Sequence, residues 1–164
     1  MRYILIIGLF LVSGIGASGQ YYTRDAGFRV GEGFFLSYRQ FFDETKALEG
    51  QVGISKDGFK IVALREYVQA LNLARSSNLR FLYGYGIHLG VDYTNHYELF
   101  YQTYYHDWQW TPRFGIDGIV GLDYAASDLP FDITAAMQPY IEFSLKQYFR
   151  LKPFNFVVSF KYRF

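Results

Sequence analysis

Beyond its first twenty residues the chain alternates. The closing segment FNFVVSFKYRF places Phe154, Phe156, Val158, Phe160, Tyr162 and Phe164 at even positions, and Asn155, Val157, Ser159, Lys161 and Arg163 at odd ones. Successive side chains of a β-strand point to opposite faces, so this period of two predicts a strand between two different media. Three more segments repeat it. Residues 81–93 put Phe81, Tyr83, Tyr85, Ile87, Leu89, Val91 and Tyr93 on one face against a face rich in glycine with His88 and Asp92. Residues 115–124 set Ile116, Gly118, Val120, Leu122 and Tyr124 against Asp117 and Asp123. Residues 131–143 set Phe131, Ile133, Ala135, Met137, Pro139, Ile141 and Phe143 against Asp132 and Glu142. The four apolar faces hold 25 positions and no charge, where the chain's own 19% charged residues would place about five.

The chemistry of the two faces tells which medium each meets. A soluble sandwich or lipocalin-like barrel turns its apolar face inward and fills it with small and branched side chains. Here the apolar face is crowded with Tyr and Phe, while the opposite face carries glycine and charges of both signs. That is the inside-out arrangement of a transmembrane β-barrel, in which aromatic girdles sit at the interfaces and small and charged groups fill the lumen.

Turn signals divide the chain into eight strands, at about 24–31, 33–42, 46–55, 59–69, 79–94, 113–125, 130–143 and 153–164. Asp43-Glu44-Thr45, Lys56-Asp57-Gly58 and Ser127-Asp128-Leu129-Pro130 mark three of the connections. An even count brings both ends of the chain to one side of the membrane, the periplasmic one. The first pair is ambiguous, since residues 24–42 also read as one long strand bent at Gly31 and Gly33. Pro139 lacks a ladder donor and belongs at a bulge or above the outer bilayer face. Residues 95–112 are expected to form an outer loop, with strand extension as the alternative.

The first nineteen residues fit a secretory signal peptide. Arg2 supplies the positive end, residues 4–12 a short apolar run, and Ala17 and Gly19 the small residues before cleavage. The mature domain is then 20–164. The stretch Gly14-Ile15-Gly16-Ala17-Ser18-Gly19 spells a dinucleotide-binding pattern, but no strand precedes it and no helix follows, so it carries no such meaning.

Composition narrows the functions. Aromatic residues are 21% of the chain, and no apolar run reaches the ~18 residues of a membrane helix. There is no cysteine, hence no disulfide framework and no thiolate zinc site or nucleophile. A net charge of +1 gives no reason to expect nucleic acid as a partner. No cofactor or metal is implied. The expected partners are outer-membrane lipid, the barrel-assembly machinery and an unidentified surface ligand, with the protein a monomer.

Eight strands enclose a lumen just wide enough for side chains. Strand parity predicts a lumen network of Arg29, Arg39, His88, Lys161 and Arg163 with Glu49, Glu66, Asp92, Asp117, Asp123, Asp132 and Glu142. Interior charges need partners, so this mixture reads as a salt-bridged plug, with its excess of acids placed near the ends in water. Arg65 and Glu66 are adjacent and cannot both face inward.

The terminal VSFKYRF, with Phe160, Tyr162 and Phe164 alternating to a final aromatic, resembles the assembly signal of outer-membrane barrels. GIDGIVGLDY, LPFDITAAMQP, GFRVG, LEGQVG and LYGYGIHLG resemble segments of small outer-membrane β-barrel-domain proteins of Bacteroidetes-type bacteria. Their architecture is similar to OmpX and the OmpA membrane domain. The resemblance implies an eight-stranded antiparallel up-and-down barrel in the outer membrane of a Gram-negative bacterium, and brings no catalytic residues. The short outer turns after strands one and three speak against a protruding-sheet adhesin.

Some eight-stranded barrels act on lipid A with a His, a Ser and an acid near the rim. Here His88 and Asp92 share a face but lie ~13 Å apart along one strand, too far to pair, and no Ser is placed beside either. His96, Glu98, His106 and Asp107 fit no standard metal-ligand spacing. The densest aromatic segment, 95–112, holds Tyr97, Phe100, Tyr101, Tyr104, Tyr105, Trp108 and Trp110. These rings can form a girdle at headgroup level or a contact surface for a partner. The functional expectation is a structural, surface-interacting barrel with a plugged lumen. Its alternatives are a narrow channel, a lipid A-modifying enzyme and a soluble lipocalin-like carrier.

Overall fold

A computed structural model describes residues 23–56, 58–71, 78–99, 102–126, 129–144 and 149–164, with backbone alone at 96–99, 102–104 and 106. The predicted signal peptide lies outside the described residues. The strands are β1 (Arg24–Val30), β2 (Gly33–Phe41), β3 (Lys46–Ser55), β4 (Gly58–Ala70), β5 (Leu79–Leu99), β6 (Gln102–Ala125), β7 (Phe131–Met137), β8 (Tyr140–Ser144), β9 (Phe149–Lys152) and β10 (Phe156–Arg163). All pairings are antiparallel, and β1 meets β10 to close the sheet. β7 with β8 and β9 with β10 each make one interrupted stave, so the barrel is an eight-stranded antiparallel meander.

The first two staves are separate strands joined at Gly31-Glu32, where the Gly31 N–H donates to the Gly33 carbonyl at 3.1 Å. The β2–β3 turn is held by Asp43, whose carboxylate accepts from the Thr45 backbone N–H and hydroxyl, both at 2.9 Å. That backbone donor, with Lys46 beside it, pulls the exposed Asp43 carboxyl down to about 2.

Pro139 sits in the gap between β7 and β8. Val120 faces Met137 and Asp117 faces Tyr140, so the register with β6 runs through the gap unchanged. The Pro139 carbonyl accepts from Gly118 N at 2.8 Å, and the proline withholds the reciprocal donor. On the other flank Met137 faces Phe156 while Tyr140 faces Lys152. The eighth stave therefore carries one extra residue, a bulge at Pro153–Asn155. The bulge expected near Pro139 falls on the neighbouring stave.

Burial follows strand parity. Leu36, Ile54, Ile61, Ile87, Leu89, Ile116 and Val158 point outward and are exposed, while Asp25, Arg39, Glu49, Glu66 and Lys161 are fully buried inside. Arg65 faces out and Glu66 in. A small apolar cluster, Val62, Leu64, Val68, Leu82, Ile119, Ala136 and Val157, shares the interior with the charges. The interior is thus not the apolar cavity of a lipocalin-like carrier.

The expected loop at 95–112 is mostly strand. β5 and β6 pair from Leu79↔Tyr124 to Leu99↔Gln102, with a register shift at Thr94/His96. β4 leaves β5 at Asp92 and β8 leaves β6 at Arg113, so among the described residues no strand pairs with the hairpin beyond, which extends roughly 20 Å at ~3.3 Å per residue. A protruding two-stranded ribbon is therefore present, contrary to the expectation from the short turns elsewhere. Long strands form because the alternation of residues 81–93 leads into a segment rich in Tyr, Trp and Thr, residues that favour strands, with Asn95 absorbed at the register shift.

Glycine on the inner face makes room for large side chains opposite. A Cβ on Gly115 would lie 2.4 Å from His88 Cε1, and one on Gly90 2.7 Å from Arg113 Nε. Gly50, facing outward, has nothing within 4 Å. Gly115→Ala should therefore lower stability by about 1–3 kcal/mol, while Gly50→Ala stays within about 0.5 kcal/mol. Urea titration of the folded band in semi-native electrophoresis separates the two.

Candidate functional site

The interior is a charge network in two tiers. The lower tier, at the end where both termini emerge, centres on Arg39. Its guanidinium lies 2.7 Å from Asp25, 3.2 Å from Asp132, 3.5 Å from Glu66 and 3.6 Å from Asp123. Arg80 joins Asp123 and, at 3.0 Å, Asp132. Arg29 reaches Glu49 at 2.9 Å, and Lys161 bonds the same carboxylate. Arg163 approaches Asp132 at 3.2 Å. Thr134 donates to Asp123 at 2.6 Å and Ser37 to Glu49 at 2.9 Å, using lone pairs the cations leave.

The upper tier centres on Glu142 and Asp117. His88 Nδ1 lies 2.5 Å from Asp117 and Nε2 3.1 Å from Glu142. Arg113 spans Asp92 at 2.8 Å and Glu142 at 3.1 Å, and Arg150 reaches Glu142 at 3.5 Å. Gln138 ties the tiers: Arg29 donates to its amide oxygen at 3.0 Å, and its amide nitrogen donates to Asp117 at 3.1 Å.

Of the residues assigned to the lumen from parity, Arg29, Arg39, Glu49, Glu66, His88, Asp92, Asp117, Asp123, Asp132, Glu142 and Lys161 lie buried inside the barrel, and Arg163 sits half-buried at its lower rim. The acids do not lie near the ends in water. Four further residues complete the pairing, Asp25, Arg80, Arg113 and Arg150, and a fifth, Lys60, comes only to 3.9 Å from Asp117. Parity was the signal for four of them, because Asp25 shares a face with Arg29, Lys60 with Glu66, Arg80 with His88, and Arg113 with Asp117.

His88 is held between two carboxylates on β6 and β8, not beside Asp92. The rim arrangement of a His–Ser–acid enzyme needs a hydroxyl at one imidazole nitrogen; here a second carboxylate takes that place. His96 and Glu98 lie on β5, and His106 and Asp107 on β6.

Above the upper tier a cavity of about 210 Å³ opens at the end away from the termini. Its lining includes Lys56, Lys60, Arg113, Arg150, Lys152 and Glu32, with Gln51, Gln138, Tyr140 and Asn155 between them. Glu32 pairs with Lys152 and accepts from the Tyr140 hydroxyl at 2.7 Å.

On the outer surface the last stave is fastened by rings. Phe160 stacks with Phe28 of β1 at 5.7 Å and with Phe131 of β7 at 5.0 Å, and Phe164 packs near Tyr38 and Tyr162. At the base of the ribbon Tyr93 stacks with Trp108 at 5.1 Å and packs at a tilt against Trp110 at 5.0 Å. Trp108, Trp110 and Tyr105 are exposed. Tyr97 and Tyr104 face each other in the ladder, and Phe100 and Tyr101 lie outside the described residues.

This geometry defines a closed, inside-out β-barrel. One solved structure shares this fold. The chain is similar to the N-terminal β-barrel domain of Pseudomonas aeruginosa OprF, with a TM-score of 0.61, 12% identity, and coverage of 86% of this chain and 95% of that one. No family model matches the sequence, and no curated protein matches it.

Removing the Arg39 charge takes the shared cation from four buried carboxylates, of which Asp25 and Glu66 keep only longer contacts, to Lys161 at 3.9 Å and Arg29 at 3.7 Å. Arg39→Met should cost about 3–5 kcal/mol, whereas Arg65→Met, on the outer face, should cost under about 1 kcal/mol. Urea unfolding of both variants in the same detergent tests this difference.

Proposed function

We propose that this chain is an outer-membrane β-barrel of a Gram-negative bacterium, a monomer with a salt-bridged, non-conducting lumen and a structural, surface-interacting role. The observation that carries the reading is the distribution of polarity. Large apolar side chains cover the outside while charges are paired within, which suits a barrel with lipid around it and no water needed inside. Strands β2, β3 and β4 have 9, 10 and 13 residues, against the ~9–11 that span a bilayer. The OprF likeness supports the same architecture, and the sequence resemblance to Bacteroidetes-type barrels supplies the finer kinship.

In this reading residues 1–19 are the export signal, and Phe160, Tyr162 and Phe164 are what the barrel-assembly machinery recognises. Tyr93, Trp108 and Trp110 form the aromatic girdle at the outer headgroups, where ring and polar edge are both satisfied. The ribbon above them is the surface offered to a partner. The lower tier is the plug: Arg39 holds carboxylates from β1, β4, β6 and β7 across the lumen, leaving no row of solvated charge for an ion to follow.

Refolded protein in a planar bilayer should show no conductance steps while migrating as a heat-shifted folded band; reproducible steps from folded protein would replace the plug with a channel. Phe164→Ser should deplete the protein from the outer-membrane fraction, and normal insertion would remove the assembly-signal assignment. Deleting residues 97–110 should leave the folded band intact. Loss of that band would make the ribbon part of the barrel's stability instead of a presented surface.

A further inference from the structure

We propose that the vestibule at the outer end of the barrel is a binding site for the phosphate group of a small hydroxylated solute, with Lys60 as its central contact. Lys60 is 6% exposed, and its side chain lines the cavity of about 210 Å³. The nearest carboxylate, Asp117, is 3.9 Å from its ammonium, beyond hydrogen-bond reach, and the Tyr140 ring lies 4.2 Å away. Among the described residues no hydrogen bond to this ammonium is formed. A buried ammonium has three donors to place, and here they face the open vestibule.

The other charges in the cavity point the same way. Arg113 and Arg150 come from β6 and β9, and Lys56 and Lys152 stand at the mouth. The carboxylates of this tier are already engaged: Asp92 by Arg113, Glu142 by His88, Arg113 and Arg150, Asp117 by His88 and Gln138, and Glu32 by Lys152 and Tyr140. Among the described residues, Lys60 in the wall, held only by the long approach to Asp117 and the face of the Tyr140 ring, and Lys56 at the exposed mouth keep donors for an incoming anion. Donors approaching from β4, β6 and β9 suit the spread oxygens of a phosphate better than the plane of one carboxylate.

The neutral lining selects the rest of the solute. Asn155 is 8% exposed, and its side-chain oxygen has no hydrogen-bond donor. Gln51 and Gln138 line the same space. Such amides serve sugar-like hydroxyls. Depth is set by the Arg29–Gln138–Asp117 chain of hydrogen bonds, which forms the floor. The bound group would therefore rest in the vestibule and not pass through.

The test uses the full chain refolded in dodecyl maltoside, with calorimetric titration of glucose 6-phosphate, glucose and dihexanoyl phosphatidylglycerol. Saturable binding of glucose 6-phosphate without binding of glucose is expected, and Lys60→Met should weaken it at least about tenfold, the loss of one charge-assisted hydrogen bond. Asp117 keeps His88 and Gln138 in that variant, so the fold should survive; a heat-shifted band confirms it. Lys56→Gln, exposed at the mouth, stands in should Lys60→Met fail to fold, with a smaller loss expected. Lys46→Gln, in the turn at the opposite end, changes the net charge equally and should leave affinity unchanged. Binding of the short-chain lipid but not the sugar phosphate would place the phosphate on a headgroup and leave the contact to Lys60 intact. Absence of saturable binding by either phosphate compound overturns the proposal, as does affinity insensitive to both lysine variants. A conducting barrel would refute the plug without touching this site.

Discussion

The burial of charge inside a closed ring of strands governs this molecule. A strand that presents apolar groups on one face must present its remaining residues on the other, and closing eight such strands forces those residues into a space a few side chains wide. Asp25, Glu49, Glu66, Asp92, Asp117, Asp123, Asp132 and Glu142 are all buried there. Each would be costly if unpaired. Every pairing partner of Arg39 comes from a different stave or half-turn of the barrel. The network can therefore form only when the ring has closed, and closure and electrostatic pairing become one event. The rings at the seam, Phe28 against Phe160, work on the outer face of the same junction.

That coupling also accounts for what could be read from the chain beforehand. Alternation alone placed Arg29, Glu49 and Lys161 on one face, because in-or-out is a property of parity along a single strand. Which of them meet is a property of stagger between strands, and no single segment records it. Thus Lys161 of the last stave bonds Glu49 of the third, and His88 meets Asp117 and Glu142. The same parity that placed Glu66 inside also places Lys60 there, and extending it would have supplied part of the cation complement. The end of the fifth strand was less legible. Tyr, Trp and Thr serve equally in strands and in aromatic-rich loops, and between Asp92 and Arg113 the single proline, Pro112, faces Val91 across an intact ladder.

The two tiers differ in how completely they are filled. In the lower one Thr134, Ser37 and the cations surround the carboxylates closely. In the upper one space remains, and its floor is made by one amide, Gln138, donating to Asp117 of its own tier and accepting from Arg29 of the lower one. An amide can link a carboxylate to a guanidinium because it offers a donor and an acceptor at once. Gln138 is placed there by the neighbouring Pro139, which interrupts the stave without shifting its register against β6.

The bulge at Pro153–Asn155 shapes the open half of the lumen from the other side. An extra residue in the eighth stave twists and re-aims the strand locally, and the residue it re-aims is Asn155, whose side chain turns into the cavity while Phe154 and Phe156 stay outside. Just above it, Lys152 reaches across to Glu32 in the β1–β2 turn. A regular ladder would have carried one parity from Phe149 to Phe164. The irregularity instead lets one stave serve two chemistries, an uninterrupted aromatic seam below and a polar wall of the vestibule above. Proline on both the seventh and eighth staves, at the same height, is what separates the packed half of the lumen from the open one.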